Sequence, residues 1–139
     1  MIVLIDTDVI LDIALKRDPF YKDSVKLINL VENNKILGFV AWHTLSNFYY
    51  MTAIGSGNEK AKQFINDLLE FVNVAETNTE NAKRAIQLKV PDFEDALQIT
   101  AALACDAHFI ISRNVKHYKN SPITALTPES FLKKHLVVD

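Results

Sequence analysis

Residues 2–5 read Ile-Val-Leu-Ile, an unbroken apolar run with no polar alternation. Such a run predicts a strand buried on both faces, the kind found inside parallel sheets. Asp6, Thr7 and Asp8 follow as helix-capping residues, and a helix is expected over 9–15. Pro19 interrupts. A second helix is expected over 23–33, where Val25, Ile28 and Val31 recur at helical spacing, and Asn33-Asn34 ends it. Residues 35–41, with Ile36, Leu37, Phe39 and Val40, read as a second strand. Leu45, Phe48, Tyr49 and Thr52 form one stripe of a helix over 44–54, and Gly55-Ser56-Gly57-Asn58 reads as a flexible turn. A helix over 59–70 presents Ala61, Phe64, Ile65, Leu68 and Leu69 as a core face. A short strand at 72–74 leads to a helix capped by Asn78 or Thr79 that runs to Lys89. Pro91-Asp92 opens a helix to Cys105 whose alanines (Ala96, Ala101, Ala102, Ala104) permit close packing on a sheet. A third buried strand, 108–111, ends at Ser112-Arg113-Asn114, and a short strand follows at 124–126. Thr127-Pro128-Glu129 caps a closing helix to His135.

Strands alternate with helices throughout, which predicts an α/β fold: a mostly parallel sheet of four to five strands with helices on both faces. A length of 139 residues fits one domain over 1–139 and is enough for a core without covalent staples. One cysteine, Cys105, excludes a disulfide framework and any cysteine-based zinc site. The N-terminal apolar run has no positive lead and meets Asp6, so it is too short for a signal peptide, and no run approaches a membrane span. The expected setting is soluble, reducing and cytoplasmic. Fifteen Lys and Arg stand against 17 Asp and Glu, a formal net charge of −2, which gives no bulk basic surface for nucleic acid.

In open parallel sheets, ligands bind beyond the carboxyl ends of the strands. Asp6 and Asp8 follow the first strand, His43, Thr44, Ser46 and Asn47 the second, and Arg113 and Asn114 the third, while Asp92 and Asp95 share the first turn of a helix. Glycine-rich phosphate loops are missing there, so nucleotide-cofactor folds are excluded. Carboxylates gathered in one cleft repel one another and raise their own pKa values, a conflict that a divalent cation relieves. Oxygen-only donors favour Mg²⁺ or Mn²⁺ over zinc, and such an ion can serve phosphodiester hydrolysis. Taken singly, Asp6 and Asp92 are explained as helix caps and Asp95 as a helix-dipole partner; it is their joint placement at strand ends that suggests a site. Four acids (Asp6, Asp8, Asp92, Asp95) taken from the 17 leave 13 acids against 15 bases, so a near-neutral total can hide an acidic pocket in a mildly basic surround. Trp42, Phe48, Tyr49 and Tyr50 have the spacing of a packing face rather than a base-stacking platform. His43 and His117 have no visible partner and read as surface or capping residues, and His108 as structural. Arg113, Lys116 and Lys119 flank the candidate site and suit phosphate contacts.

The opening Ile2-Val3-Leu4-Ile5-Asp6-Thr7-Asp8-Val9-Ile10-Leu11-Asp12 resembles the start of a PIN domain, as does Asp92-Phe93-Glu94-Asp95-Ala96-Leu97-Gln98. Phe109-Ile110-Ile111-Ser112-Arg113-Asn114 resembles that family's late strand-end motif, and the tail Asn120-Ser121-Pro122-Ile123 with Leu126-Thr127-Pro128-Glu129-Ser130-Phe131-Leu132 fits a bacterial subfamily. The resemblance implies a three-layer sandwich around a parallel sheet and an acidic cleft holding Mg²⁺ or Mn²⁺. It further implies cleavage of single-stranded RNA, often as the toxin of a type II toxin–antitoxin pair with a small antitoxin protein, and frequent homodimers. Carried over by position, Asp6 is the first metal ligand and Asp95 the central acid, with Asp92 beside it and Asp8 and Asn114 completing the set. Thr7, Thr44, Asn47, Arg113 and Lys116 fall where substrate contacts are expected. Asn47 stands where the family usually has Glu, Asn114 where Asp is commoner, and Asp8 where Asn or Ser is more usual. Two alternatives stay open: a PIN domain that binds RNA or a protein without cutting, and a haloacid-dehalogenase-like phosphatase using Asp6 as nucleophile.

Overall fold

The run Ile2–Ile5 forms β1, and it lies at the middle of a five-stranded sheet of order β3-β2-β1-β4-β5 in which every pairing is parallel. The computed structural model describes residues 1–135. The elements are β1 (Ile2–Ile5), α1 (Thr7–Ala14), α2 (Tyr21–Glu32), β2 (Leu37–Val40), α3 (Trp42–Ser56), α4 (Asn58–Leu68), β3 (Asn73–Val74) and α5 (Thr79–Gln87), followed by α6 (Phe93–Ala104), β4 (Phe109–Ile111), a 3₁₀ turn (Val115–Tyr118), β5 (Ala125–Leu126) and α7 (Pro128–His135).

Burial of β1 on both faces explains its uninterrupted apolar sequence. Val3 and Ile5 join a cluster with Val9, Leu27, Val31, Phe48 and Phe131, whereas Leu4 joins Ile99, Ala101, Ala102 and Ile110 on the opposite face. Ile110 and Ile111 of β4 divide in the same way, so the sheet is the middle layer of three. Ala101 and Ala102 let α6 lie close under β1 and β4, as their small size predicts. Register is fixed by Leu4 opposite Phe39 on one side and Ile110 on the other.

Gly38 of β2 is set by packing rather than by backbone conformation. A Cβ there would sit 2.9 Å from Val31 Cγ1 and 3.0 Å from Cγ2 on α2. Gly38→Ala should therefore lower stability by about 1–3 kcal/mol, the usual cost of one methyl too many in a filled core. Urea denaturation measures it, and an unchanged midpoint would show that Val31 yields freely.

Several boundaries differ from the sequence expectation for identifiable reasons. Helix α1 starts at Thr7, because Asp6 alone is the cap, so Asp8 lies inside the helix. Helix α3 continues through Gly55 and Ser56, and the expected four-residue turn contracts to Gly57, whose φ of 89° ends α3 and opens α4. The 3₁₀ turn after β4 has no apolar periodicity to announce it. Asp6 lies just past β1, and Asp6 N donates to Ile111 O of β4 at 2.9 Å, so the first candidate acid is anchored between the two central strands.

Candidate active site

Asp6 is 6% exposed, and both its oxygens are occupied. Oδ1 accepts from Thr7 N at 2.7 Å and from Gln98 Nε2 at 3.2 Å, and Oδ2 accepts from the Tyr118 hydroxyl at 2.7 Å. Burial raises its pKa above the ordinary 3.8; the Tyr118 hydrogen bond opposes this and Glu94 adds to it. Fully buried Gln98 reaches from α6 toward Asp6, Thr44 Oγ1 (3.0 Å) and Glu94 Oε2 (2.9 Å), which joins β1, α3 and α6 at one amide.

Three acids come from the start of α6. Asp92 caps it, accepting from Asp95 N at 3.1 Å. Asp92, Glu94 and Asp95 each offer a carboxylate oxygen, and these lie within 4.8 Å of one another. Burial pushes Asp95 up to about 6, against His117 Nδ1 at 3.3 Å, with Asp92, Glu94 and Asp6 adding to the rise. Burial would also raise Glu94, but hydrogen bonds from His43 (2.6 Å) and Gln98 outweigh it and hold the carboxyl below its usual value.

Asp8 belongs to the same cleft through the loop after β4. Its oxygens accept from Ser112 Oγ, Arg113 N and Asn114 Nδ2 at 3.0–3.3 Å for the shortest contact of each donor. Burial, then the neighbouring Asp6 charge, pushes Asp8 up to about 7, with the Arg113 amide pulling the other way. Because Asn114 donates through its amide nitrogen, its carbonyl oxygen is the group it can offer the cleft.

Asp6, Thr7, Asp8, Asn47, Asp92, Glu94, Asp95, Asn114 and His117 line one cavity of about 350 Å³, with Leu11 and Met51 as its apolar wall. Three of the candidate site residues, Thr44, Arg113 and Lys116, lie elsewhere. Thr44 is buried behind the cavity, paired with Thr7 Oγ1 at 3.1 Å. Arg113 turns away: its guanidinium carbon stacks 4.1 Å from the Phe20 ring centroid, and its Nε is 2.7 Å from Asp12 Oδ2. That contact is a charge pair, since the N–H is not aimed at the oxygen. Asp12, 0% exposed, also accepts from Arg17 Nε at 2.9 Å, so two cations hold one buried carboxylate. Lys116 lies at a neighbouring recess.

Glu94, Gln98, His43, His117 and Tyr118 were not singled out as site residues by sequence. Glu94 and Gln98 are four apart on one helix face, a usable signal. The pairing of His43 with Glu94 and of Tyr118 with Asp6 spans 51 and 112 residues and has no local trace. His108 is structural as expected, its Nδ1 accepting from Ile2 N at 3.0 Å. Of the aromatic group, Phe48 is in the core, stacked 4.9 Å from Phe64, while Trp42 and Tyr50 are exposed.

Tyr118→Phe removes a donor to a buried carboxylate. Stability should fall by about 1.5–3 kcal/mol, and more at pH 8 than at pH 5, because the hydroxyl favours ionised Asp6. Chemical denaturation at both values tests this; an equal loss at both would mean that only packing had changed.

A parallel α/β sheet with carboxylates gathered beyond its central strand is an acidic strand-end site. The chain belongs to the PIN-domain family, whose model matches residues 2–116. Similar folds occur in VapBC-1 from nontypeable Haemophilus influenzae (20% identity, TM-score 0.71, 93% of this chain and 99% of that one) and in VapBC2 from Rickettsia felis bound to a promoter DNA fragment (16%, 0.70, 91% and 98%). Mycobacterium tuberculosis VapC20, a sarcin-ricin loop cleaving toxin, is similar at 12% identity and TM-score 0.63 over 78% of this chain and 86% of that one. At these identities the likeness is one of fold. No curated protein matches the sequence. Family membership sets aside the phosphatase reading. Among the described residues, no helix is long and apolar enough to cross a membrane.

Proposed function

We propose that this PIN domain is a Mg²⁺- or Mn²⁺-dependent endoribonuclease that cuts single-stranded RNA in the cytoplasm, as the toxin of a toxin–antitoxin pair. The observation that carries this reading is the convergence of Asp6, Asp92, Glu94 and Asp95 on one cavity, with Asp6, Asp8 and Asp95 held above the ordinary carboxylate range. That set is all oxygen and over-supplied with negative charge, which fits a hard divalent ion. Asp6, Asp92 and Asp95 would hold it, with Asn114 and Asp8 at the margin. Bound there, such an ion supplies charge neutralisation and Lewis-acid polarisation for phosphodiester hydrolysis.

The chain's own residues orient and exclude. Tyr118 and Gln98 fix Asp6, Thr44 fixes Thr7 and Gln98, and His43 fixes Glu94. His117 can hold a proton at Nδ1 beside Asp95. Thr7 and Asn47 offer polar groups to substrate at the cavity wall. Folds of this kind occur in a sarcin-ricin loop cleaving toxin and in toxin–antitoxin complexes, which supports the reading. On α3, exposed Tyr50, Met51 and Ile54 make an apolar face beside the cleft, suited to an antitoxin or a second copy. The test is cleavage of labelled single-stranded RNA by purified protein: dependence on Mg²⁺ or Mn²⁺ supports the reading, and equal cutting in excess EDTA overturns it.

A second reading is an RNA- or protein-binding PIN domain without turnover. Asn47 and Asn114 on the cavity wall favour it, as each brings an amide where a carboxylate would add charge. RNA turnover that follows the protein through purification would exclude it.

A further inference from the structure

Beside the acidic cleft lies a second recess of about 380 Å³, and the two share Asp92, Asp95 and His117. The rest of its polar lining is mainly basic. Lys89 comes from the connection between α5 and α6, three residues before Asp92, Lys116 from the 3₁₀ turn and Lys119 from the residue that ends it. Residues three apart on such a turn lie nearly in line, so these two lysines project from the same side. The basic charge is therefore supplied by two separate segments around one recess.

These lysines are also not spent on carboxylates, as four of the chain's other bases are. Arg17 and Arg113 are committed to Asp12, Lys83 to Glu80 and Lys133 to Glu129. Among the described residues, Lys89, Lys116 and Lys119 have no carboxylate within ion-pair distance, and all three are exposed. A chain of net charge −2 does not attract a polyanion as a whole, so attraction has to be local. Among the described residues, no Phe, Tyr or Trp lines the recess, which leaves phosphate rather than base faces as what it can grip.

We infer that this recess binds the phosphate backbone of single-stranded RNA next to the scissile position, through Lys89, Lys116 and Lys119. The inference rests on the ribonuclease reading and adds to it where the strand runs. Binding of short fluorescein-labelled oligouridylate and oligoadenylate, followed by anisotropy in EDTA across a salt series, tests it without cleavage. The variant Lys89→Ala/Lys116→Ala/Lys119→Ala should bind both strands roughly ten-fold more weakly. Its dependence of log K on log salt should flatten by about 2, near 0.7 per phosphate contact on a single strand. Arginine at all three positions should restore binding, and Lys133→Ala/Lys134→Ala on α7 should leave it unchanged. Wild-type affinity and salt slope in the triple alanine variant would overturn the recess and leave the ribonuclease reading standing. A loss confined to one base type would overturn the phosphate assignment, and a wild-type protein that binds neither strand in EDTA would overturn the recess as a phosphate site.

Discussion

Asp6→Asn and Asp95→Asn should each lower metal-dependent RNA cleavage by about 10²–10⁴-fold while the protein stays folded and is more stable at pH 8. The two effects share one cause. Both carboxyls are held above their ordinary pKa, chiefly by burial, so their ionised forms cost folding free energy. An amide removes that charge and keeps most of the local geometry. Asn at position 6 still offers a carbonyl oxygen to Thr7 N, the bond that caps α1. At position 95 the backbone N–H that Asp92 accepts from is untouched. Activity falls because the amide brings no charge to a divalent ion. Gel-based cleavage assays and thermal melts on the same preparations check the pair of signs. Full activity in either variant would remove that residue from the chemistry, and a loss of both activity and stability would mark it as structural.

Without divalent ions, stability should decline from about pH 5 to pH 8. The sign follows from the direction of the shifts. Asp8 is raised to about 7 and Asp95 to about 6 from an ordinary 3.8, so the folded state binds protons more tightly than the unfolded one. Their contribution is fully present below the unfolded value and is lost as pH rises through the folded ones. Glu94 runs the other way and costs stability only as pH falls below about 4.5, which places the metal-free maximum at about 4–4.5, below the range of the decline. The decline should amount to about 2–4 kcal/mol by pH 8. Saturating Mn²⁺ should recover much of it, since a ligand at 100 times its Kd adds about 2.7 kcal/mol. Denaturation series with EDTA and with Mn²⁺ measure both arms. Stability that is flat or rising over this range in EDTA, or indifferent to Mn²⁺, would contradict an acid cluster under charge strain.

The parts of the fold that depend on burial alone were legible. β1 and β4 are apolar on both faces because both faces are covered, and the alanines of α6 report its distance from the sheet. Boundaries set by a single side chain were less so: whether Asp6, Thr7 or Asp8 caps α1 depends on which oxygen reaches which N–H. In the site, Asp6, Asp8, Asp92, Asp95 and Asn114 could be placed by their positions at strand and helix ends, and they line one cavity. Residues that hold those acids were hidden. Tyr118 and His43 act across the chain on partners far away in sequence, and His117 sits in a turn without periodicity. Arg113 shows the converse, since its place beside the site suggested phosphate, while buried Asp12 and the Phe20 ring claim its guanidinium.

The hydroxyl bond from Tyr118 to Asp6 joins two regions of unequal permanence. β1 is flanked by strands on both sides, so its amides can exchange with solvent only when the whole sheet opens. The 3₁₀ turn carrying Lys116, His117 and Tyr118 is closed by local backbone bonds, among them His117 N to Asn114 O, Lys119 N to Lys116 O and Ser121 N to Tyr118 O, so it can open as a smaller unit than the sheet once the buried Tyr118 ring leaves its place beside Leu4 and Ile110. Each such opening would withdraw a donor from Asp6 while the strand beneath stays shut. The rigid half of the cleft thus keeps its geometry, but the charge on Asp6 depends on a buried side chain carried by a less permanent segment.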